Sequence, residues 1–178
     1  MSGRVPVSIS VNGQSVDALV EPRTSLGDFL RHDLGLTGTH LGCEMGACGA
    51  CLVLIDGHAA HSCLTYAVQV DGHTVETVEG LTERRAIADI QTAFHERNAL
   101  QCGFCTPGML ITAFELLSGG GVPSRAEIRD ALSGNYCRCT GYEAIVDAIG
   151  RVARDRAQAG QPAQNDAKEC SGTEETAQ

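Results

Sequence analysis

The chain has 178 residues, with 13 Lys+Arg against 22 Asp+Glu and a net charge of −9, which is long enough for one medium or two small hydrophobic cores without disulfides. Aromatic residues make up 4% and Trp is absent, so neither the charge nor the composition suits a nucleic-acid partner. No apolar run approaches the ~18 residues of a membrane span, and the opening Met1-Ser2-Gly3-Arg4 lacks a signal-peptide block, so a cytoplasmic location is expected.

The first half reads as strands around one helix. Val5, Val7, Ile9 and Val11 alternate with polar or small residues, the period-two mark of a half-buried strand. Asn12-Gly13 is a hairpin signal because both positions accept positive φ, and Val16, Ala18 and Val20 alternate on the return. Ser25 can cap a helix carrying Leu26, Phe29, Leu30 and Leu34 on one face, with Gly35 ending it. Cys51 to Ile55 is a short apolar strand, turned back by Asp56-Gly57 toward residues 58–60, and a last strand is expected over Val75 to Val78. Five short strands and one helix predict a small α+β unit with a mixed sheet.

The period then changes. Ile87, Ile90 and Phe94 sit at helical spacing, and Pro107 is placed to open a helix that buries Leu110, Ala113, Phe114 and Leu117. Gly119-Gly120-Gly121 stops it. Ser124-Arg-Ala-Glu127 is a capping box for the next helix, and Ile145, Ile149, Val152 and Ala153 mark a final one. The expected organisation is a sheet unit over 1–80, a helical bundle over 81–156 and a disordered Gln/Ala/Glu/Thr-rich tail over 157–178, which contains the isolated Cys170.

Nine cysteines in a reducing compartment suggest metal ligands before disulfides. Eight form two sets of four, one set in each half. Cys43, Cys48, Cys51 and Cys63 are spaced C-x4-C-x2-C-x11-C, and the opening part is the spacing of plant-type 2Fe–2S ferredoxins. Three thiolates from one tight loop need a permissive backbone, which Gly42, Gly46 and Gly49 supply. The amides of those glycines can then point at the sulfurs and stabilise a cluster whose formal charge is about −2 when oxidised. The fourth ligand, Cys63, comes earlier than in stand-alone ferredoxins, just past a two-stranded turn that returns the chain to Cys51.

The second set is Cys102, Cys105, Cys137 and Cys139, spaced C-x2-C-x31-C-x-C. Cys102 and Cys105 fall at the start of the Pro107 helix, and Cys137 and Cys139 just before the last helix. The positive end of a helix dipole favours thiolate over thiol. Taken alone, this set suits zinc as well as iron. The six histidines form no spaced pair of the Rieske kind and read as surface residues. No Ser/His/Asp set or carboxylate pair suggests hydrolysis.

The stretches Gly42-Cys-Glu-Met-Gly-Ala-Cys-Gly-Ala-Cys51, Gln101-Cys-Gly-Phe-Cys-Thr-Pro-Gly108 and Asn135-Tyr-Cys-Arg-Cys-Thr-Gly-Tyr142 resemble the iron–sulfur subunit of the molybdenum hydroxylases, the xanthine dehydrogenase and carbon monoxide dehydrogenase superfamily. The resemblance covers about residues 4–156. It implies an α+β chain with a ferredoxin-like β-grasp domain, then an all-α four-helix bundle, each holding one 2Fe–2S cluster on the four cysteines named above. It further implies a large partner subunit binding molybdopterin, a medium one binding FAD, and assembly as a dimer of heterotrimers. Gln101 and Cys139 match positions that approach the pterin. The implied role is an electron relay that turns over no substrate alone.

Overall fold

A computed structural model describes residues 3–160. Strands β1 (Val5–Val11) and β2 (Gln14–Val20) form the expected hairpin, turned by Asn12 at φ 51° and Gly13 at φ 80°. β1 buries Val7, Ile9 and Val11 on one face, as its alternation requires. Ser25 caps the next helix, its Oγ accepting from the Asp28 amide at 3.0 Å. That helix is shorter than its apolar pattern suggested. α1 covers only Leu26–Asp28 and continues as a π-helical turn over Phe29–Asp33, yet it still buries Leu26, Phe29 and Leu30.

β3 (Leu52–Ile55) and β4 (His58–His61) form a second hairpin, and β5 (Thr74–Glu76) completes the sheet. β5 ends before the expected Val78, because α2 (Val78–Glu83) starts there and carries the chain through Gly80 as helix. The strand order is β2-β1-β5-β3-β4, with β5 parallel to β1 and antiparallel to β3, so the sheet is mixed. Helices α3 (Ala88–Glu96), α4 (Thr106–Ser118), α5 (Arg125–Ala131) and α6 (Glu143–Gln158) follow. The capping box is present: Ser124 Oγ accepts from the Glu127 amide at 3.2 Å, and the Ser124 amide donates to Glu127 at 2.7 Å. α6 extends through Gln158, into the expected tail; residues 161–178, with Cys170, lie outside the described part.

Two apolar cores result. One packs Leu26 of α1 and Phe29 and Leu30 of the π-helical turn on Val7, Ile9, Val53 and Val75 of the sheet. The other gathers Ile90, Met109, Ile111, Ile128, Ile145 and Ile149 from the helices, and also takes Leu54. Alternation along β3 thus sends Val53 to one core and Leu54 to the other. The helical half is therefore not separate in packing, since it covers the second face of the sheet through β3. The Ala59 amide of β4 also donates to Glu115 of α4 at 2.9 Å.

Candidate metal centres

The first cysteine loop runs from Gly42 to Cys51, at the foot of β3. Its sharp turns place Glu44, Gly46 and Gly49 at φ 54°, 74° and 69°, the region where glycine carries no steric cost. Gly42 serves differently: a Cβ there would lie 3.3 Å from both Cys48 Sγ and the Phe104 ring. The amides that reach the Cys43 sulfur are not those of the glycines, as expected, but those of Met45 at 3.5 Å and Ala47 at 3.3 Å, because the turn at Gly46 aims the N–H groups on either side of it inward. The Met45 amide first, then those of Ala47 and Cys48, bring the Cys43 thiol down to about 6 against a burial penalty. Cys51 sits at the start of β3, and burial pushes its thiol up to about 11. The β3–β4 hairpin returns the chain beside it. Ser62 donates to the Cys51 carbonyl from its amide at 3.3 Å and from its hydroxyl at 2.7 Å, so Cys63 arrives next to Cys51. The same register pairs Leu52 with His61 and leaves His61 Nδ1 3.8 Å from Cys51 Sγ.

In the second set Cys105 is the N-cap of α4, with Pro107 in the first turn as expected. The dipole argument does not govern its thiol, because burial pushes Cys105 up to about 12. Cys137 and Cys139 lie in the loop before Tyr142, the N-cap of α6, outside the helix itself. For Cys137 burial is the largest single influence and acts upward. The Thr140 hydroxyl, 3.1 Å from its sulfur, together with the Thr140 and Cys139 amides, outweighs it and leaves the thiol below its ordinary value. Tyr142, held at φ 68°, fixes this loop: its Oη accepts from the Cys137 amide at 2.7 Å and donates to the Asn135 carbonyl at 3.0 Å. Gln101 Nε2 donates to the Cys139 carbonyl at 2.9 Å, so these two residues stand together.

All eight described cysteines are unbridged, and in each set they lie beside one another, the strongest sulfur–sulfur interactions joining them two by two. Cys43 neighbours Cys48, Cys51 neighbours Cys63, Cys105 neighbours Cys137, and Cys102 neighbours Cys139. The last pair stands at 3.6 Å between sulfurs. Two thiolates on one tetrahedral ion at about 2.3 Å lie about 3.8 Å apart, so such a pair is spaced to share a metal. Two-plus-two pairing is the donor pattern of a diiron cluster, in which each iron takes two cysteines. Iron binding would deprotonate every thiol regardless of its metal-free value.

The two sets lie against each other. The Tyr136 amide donates to the Cys48 carbonyl at 2.9 Å, so Cys48 of the first set is hydrogen-bonded to the residue before Cys137 of the second. Gly49 and Gly108 meet backbone to backbone, a Cβ on Gly108 falling 3.0 Å from the Gly49 carbonyl carbon and closer still to its oxygen. Phe104, between Cys102 and Cys105, stacks on His40 at 4.8 Å, and its carbonyl lies 2.8 Å from His40 Nδ1. Sequence reasoning did not single out Phe104, His61, Asn135 or Tyr142 for these contacts. Only Gly108 carried a local signal, as a glycine inside a helical pattern.

Comparison with known proteins agrees with this geometry. Residues 9–76 match the 2Fe-2S iron-sulfur cluster binding domain family, and residues 77–150 match a second 2Fe-2S binding domain family. The chain is 51% identical to caffeine dehydrogenase subunit gamma of Pseudomonas sp. (strain CBB1), over 86% of this chain and 93% of that one. It is also 51% identical to the nicotine 6-hydroxylase small subunit of Paenarthrobacter nicotinovorans, over 83% of this chain and 89% of that one. Among solved structures, a chain of quinoline 2-oxidoreductase from Pseudomonas putida 86 superposes with a TM-score of 0.82 at 50% identity, covering 89% of this chain and 99% of that one. The chain belongs to the family of small iron–sulfur subunits of the molybdenum hydroxylases.

Proposed function

We propose that this chain carries single electrons away from a molybdopterin centre in a large subunit and delivers them toward FAD in a medium subunit. When bound, each 2Fe–2S group takes up one electron and gives it on. The remaining tasks fall to the chain's own residues: holding, spacing and insulating the two groups. In this reading Cys43, Cys48, Cys51 and Cys63 hold one cluster in a ferredoxin-like domain over 1–80, with Gly42, Gly46 and Gly49 shaping its loop. Cys102, Cys105, Cys137 and Cys139 hold the other in a domain over 81–156, whose principal helices α3 to α6 form a four-helix bundle. The observation that carries the reading is the two-plus-two pairing of thiols in each set. The direction comes from exposure: Cys102 and Cys139 are exposed, while Cys105 and Cys137 are partly buried. The outer pair, with Gln101 beside it, faces the pterin of the large subunit, and the inner pair is the one toward the first set.

The full assembly is read as a dimer of heterotrimers in the cytoplasm; no helix among the described residues is long and apolar enough to cross a membrane. Caffeine, nicotine and quinoline, in the names of the relatives, are nitrogen heterocycles, so the complex is read as acting on such a ring. Purification of the chain with its native subunits tests the proposal. The expected result is one large species containing molybdenum, flavin and about four irons per copy of this chain, which oxidises a nitrogen heteroaromatic. A monomer carrying iron but neither molybdenum nor flavin would refute it in favour of a free electron carrier.

A further inference from the structure

We propose that Asn135 is a positioning residue that locks the two cysteine loops in register and keeps the path between the clusters closed, an inference resting on both sets being cluster ligands. Asn135 belongs to neither set. It is 2% exposed, deep at the junction of the two halves. Its Oδ1 accepts from the Thr112 hydroxyl of α4 at 2.9 Å, and its Nδ2 donates to the Gly49 carbonyl at 3.4 Å, between Cys48 and Cys51. A hydroxyl that donates to Oδ1 turns the Nδ2 side toward Gly49, and the amide supplies both the acceptor and the donor that this space needs. Gly49 leaves no slack, since a Cβ there would lie 2.7 Å from Nδ2. The adjacent Tyr136 amide then donates to the Cys48 carbonyl at 2.9 Å. Cys137 is therefore joined to Cys48 by one peptide unit and one hydrogen bond, and the Asn135 side chain holds the two backbones at that distance. A residue that merely filled a core would leave the magnetic and electronic contact of the clusters unmoved. Asn135 should not.

Two variants of the full chain, purified with its native subunits, test this. Asn135→Asp, read at a pH where its carboxyl is ionised, keeps the size and the acceptor but removes the donor to Gly49, and Thr112→Val removes the group that orients the amide. Hydrogen exchange of the peptides covering 48–51 and 134–137 is expected to accelerate about tenfold in Asn135→Asp, and less in Thr112→Val. The magnetic interaction between the two reduced clusters should weaken in the same order, with iron content unchanged. Unaltered exchange and unaltered magnetic interaction in both variants would overturn the proposal. If Asn135→Asp loses iron, loss from the first set alone supports it and loss from the second set alone overturns it. If both clusters go, the same readouts on Thr112→Val decide. Absence of two 2Fe–2S signals from the unmodified protein would strike the functional reading instead, while exchange in the metal-free chain would still report on the clasp.

Discussion

The same substitution at two helical glycines should have opposite effects. Gly108 lies in α4 and Gly150 in α6. In either helix alanine gains up to about 1 kcal/mol of propensity over glycine. At Gly150 a new Cβ would meet Arg154 Nη1 at 3.4 Å and Ile128 Cδ1 at 3.5 Å, ordinary contacts with side-chain ends. That gain survives, and Gly150→Ala should raise the melting temperature by about 2–4 °C. At Gly108 the Cβ would lie 3.0 Å from the Gly49 carbonyl carbon and 3.2 Å from Ala50 Cα, and still closer to the Gly49 oxygen. Carbon contacts are comfortable near 3.5–4.0 Å, so one backbone would have to retreat by about 1 Å. The obstacle is the backbone of the first cysteine loop and not a flexible side chain, which places the cost near the top of the range for overpacking, about 3 kcal/mol. The net loss of about 2 kcal/mol lowers the melting temperature by about 4–8 °C. Thermal unfolding followed by circular dichroism and by bleaching of the visible absorbance reads both variants. Gly108→Ala melting at or above the unmodified protein would refute the claim that the halves meet there backbone to backbone.

Other expectations are more local. Cys139→Ser should lower iron from about four to about two per chain, leave the ferredoxin-like cluster's signal intact, and stop electrons leaving the molybdenum centre. Cys48→Ser should do the reverse, sparing the bundle cluster while blocking the onward step; equal loss of both signals in either variant would contradict two distinct sites. Tyr142→Phe removes the acceptor for the Cys137 amide and the donor to the Asn135 carbonyl. It should cost about 1–3 kcal/mol in denaturant unfolding and shift the potential of the second cluster more than that of the first. Gly46→Ala forces a side chain onto φ 74°, against the exposed Leu64, and should reduce iron occupancy of the first set with the second unchanged.

Much of this architecture is written locally in the sequence, and so could be read there. Alternation in β1 and β2, the Asn12-Gly13 turn, the Ser25 cap, Pro107 at the start of α4 and the Ser124–Glu127 box are each decided by neighbours a few residues apart. The two sets of four cysteines are legible for the same reason, since their spacing lies within the chain. What distance decides was hidden. Nothing near Thr74 says that β5 enters between β1 and β3, and its end was misjudged because α2 takes over at Val78. The helix dipole suggested a favoured thiolate at Cys105, but burial dominates once α4 packs. The partner of Cys102 is Cys139, and that of Cys105 is Cys137, a crossing visible only after α4 and α6 are in place. Asn135 reads as a loop residue until Thr112 and Gly49 close around it.

Eight thiols, joined two by two, are expected to hold two diiron clusters on loops that touch. Electron paramagnetic resonance of the chemically reduced, anaerobically prepared protein decides this. Two distinguishable 2Fe–2S signals are expected, each integrating to about one spin per chain. A spectrum without either signal, from protein that retains bound zinc, would contradict it.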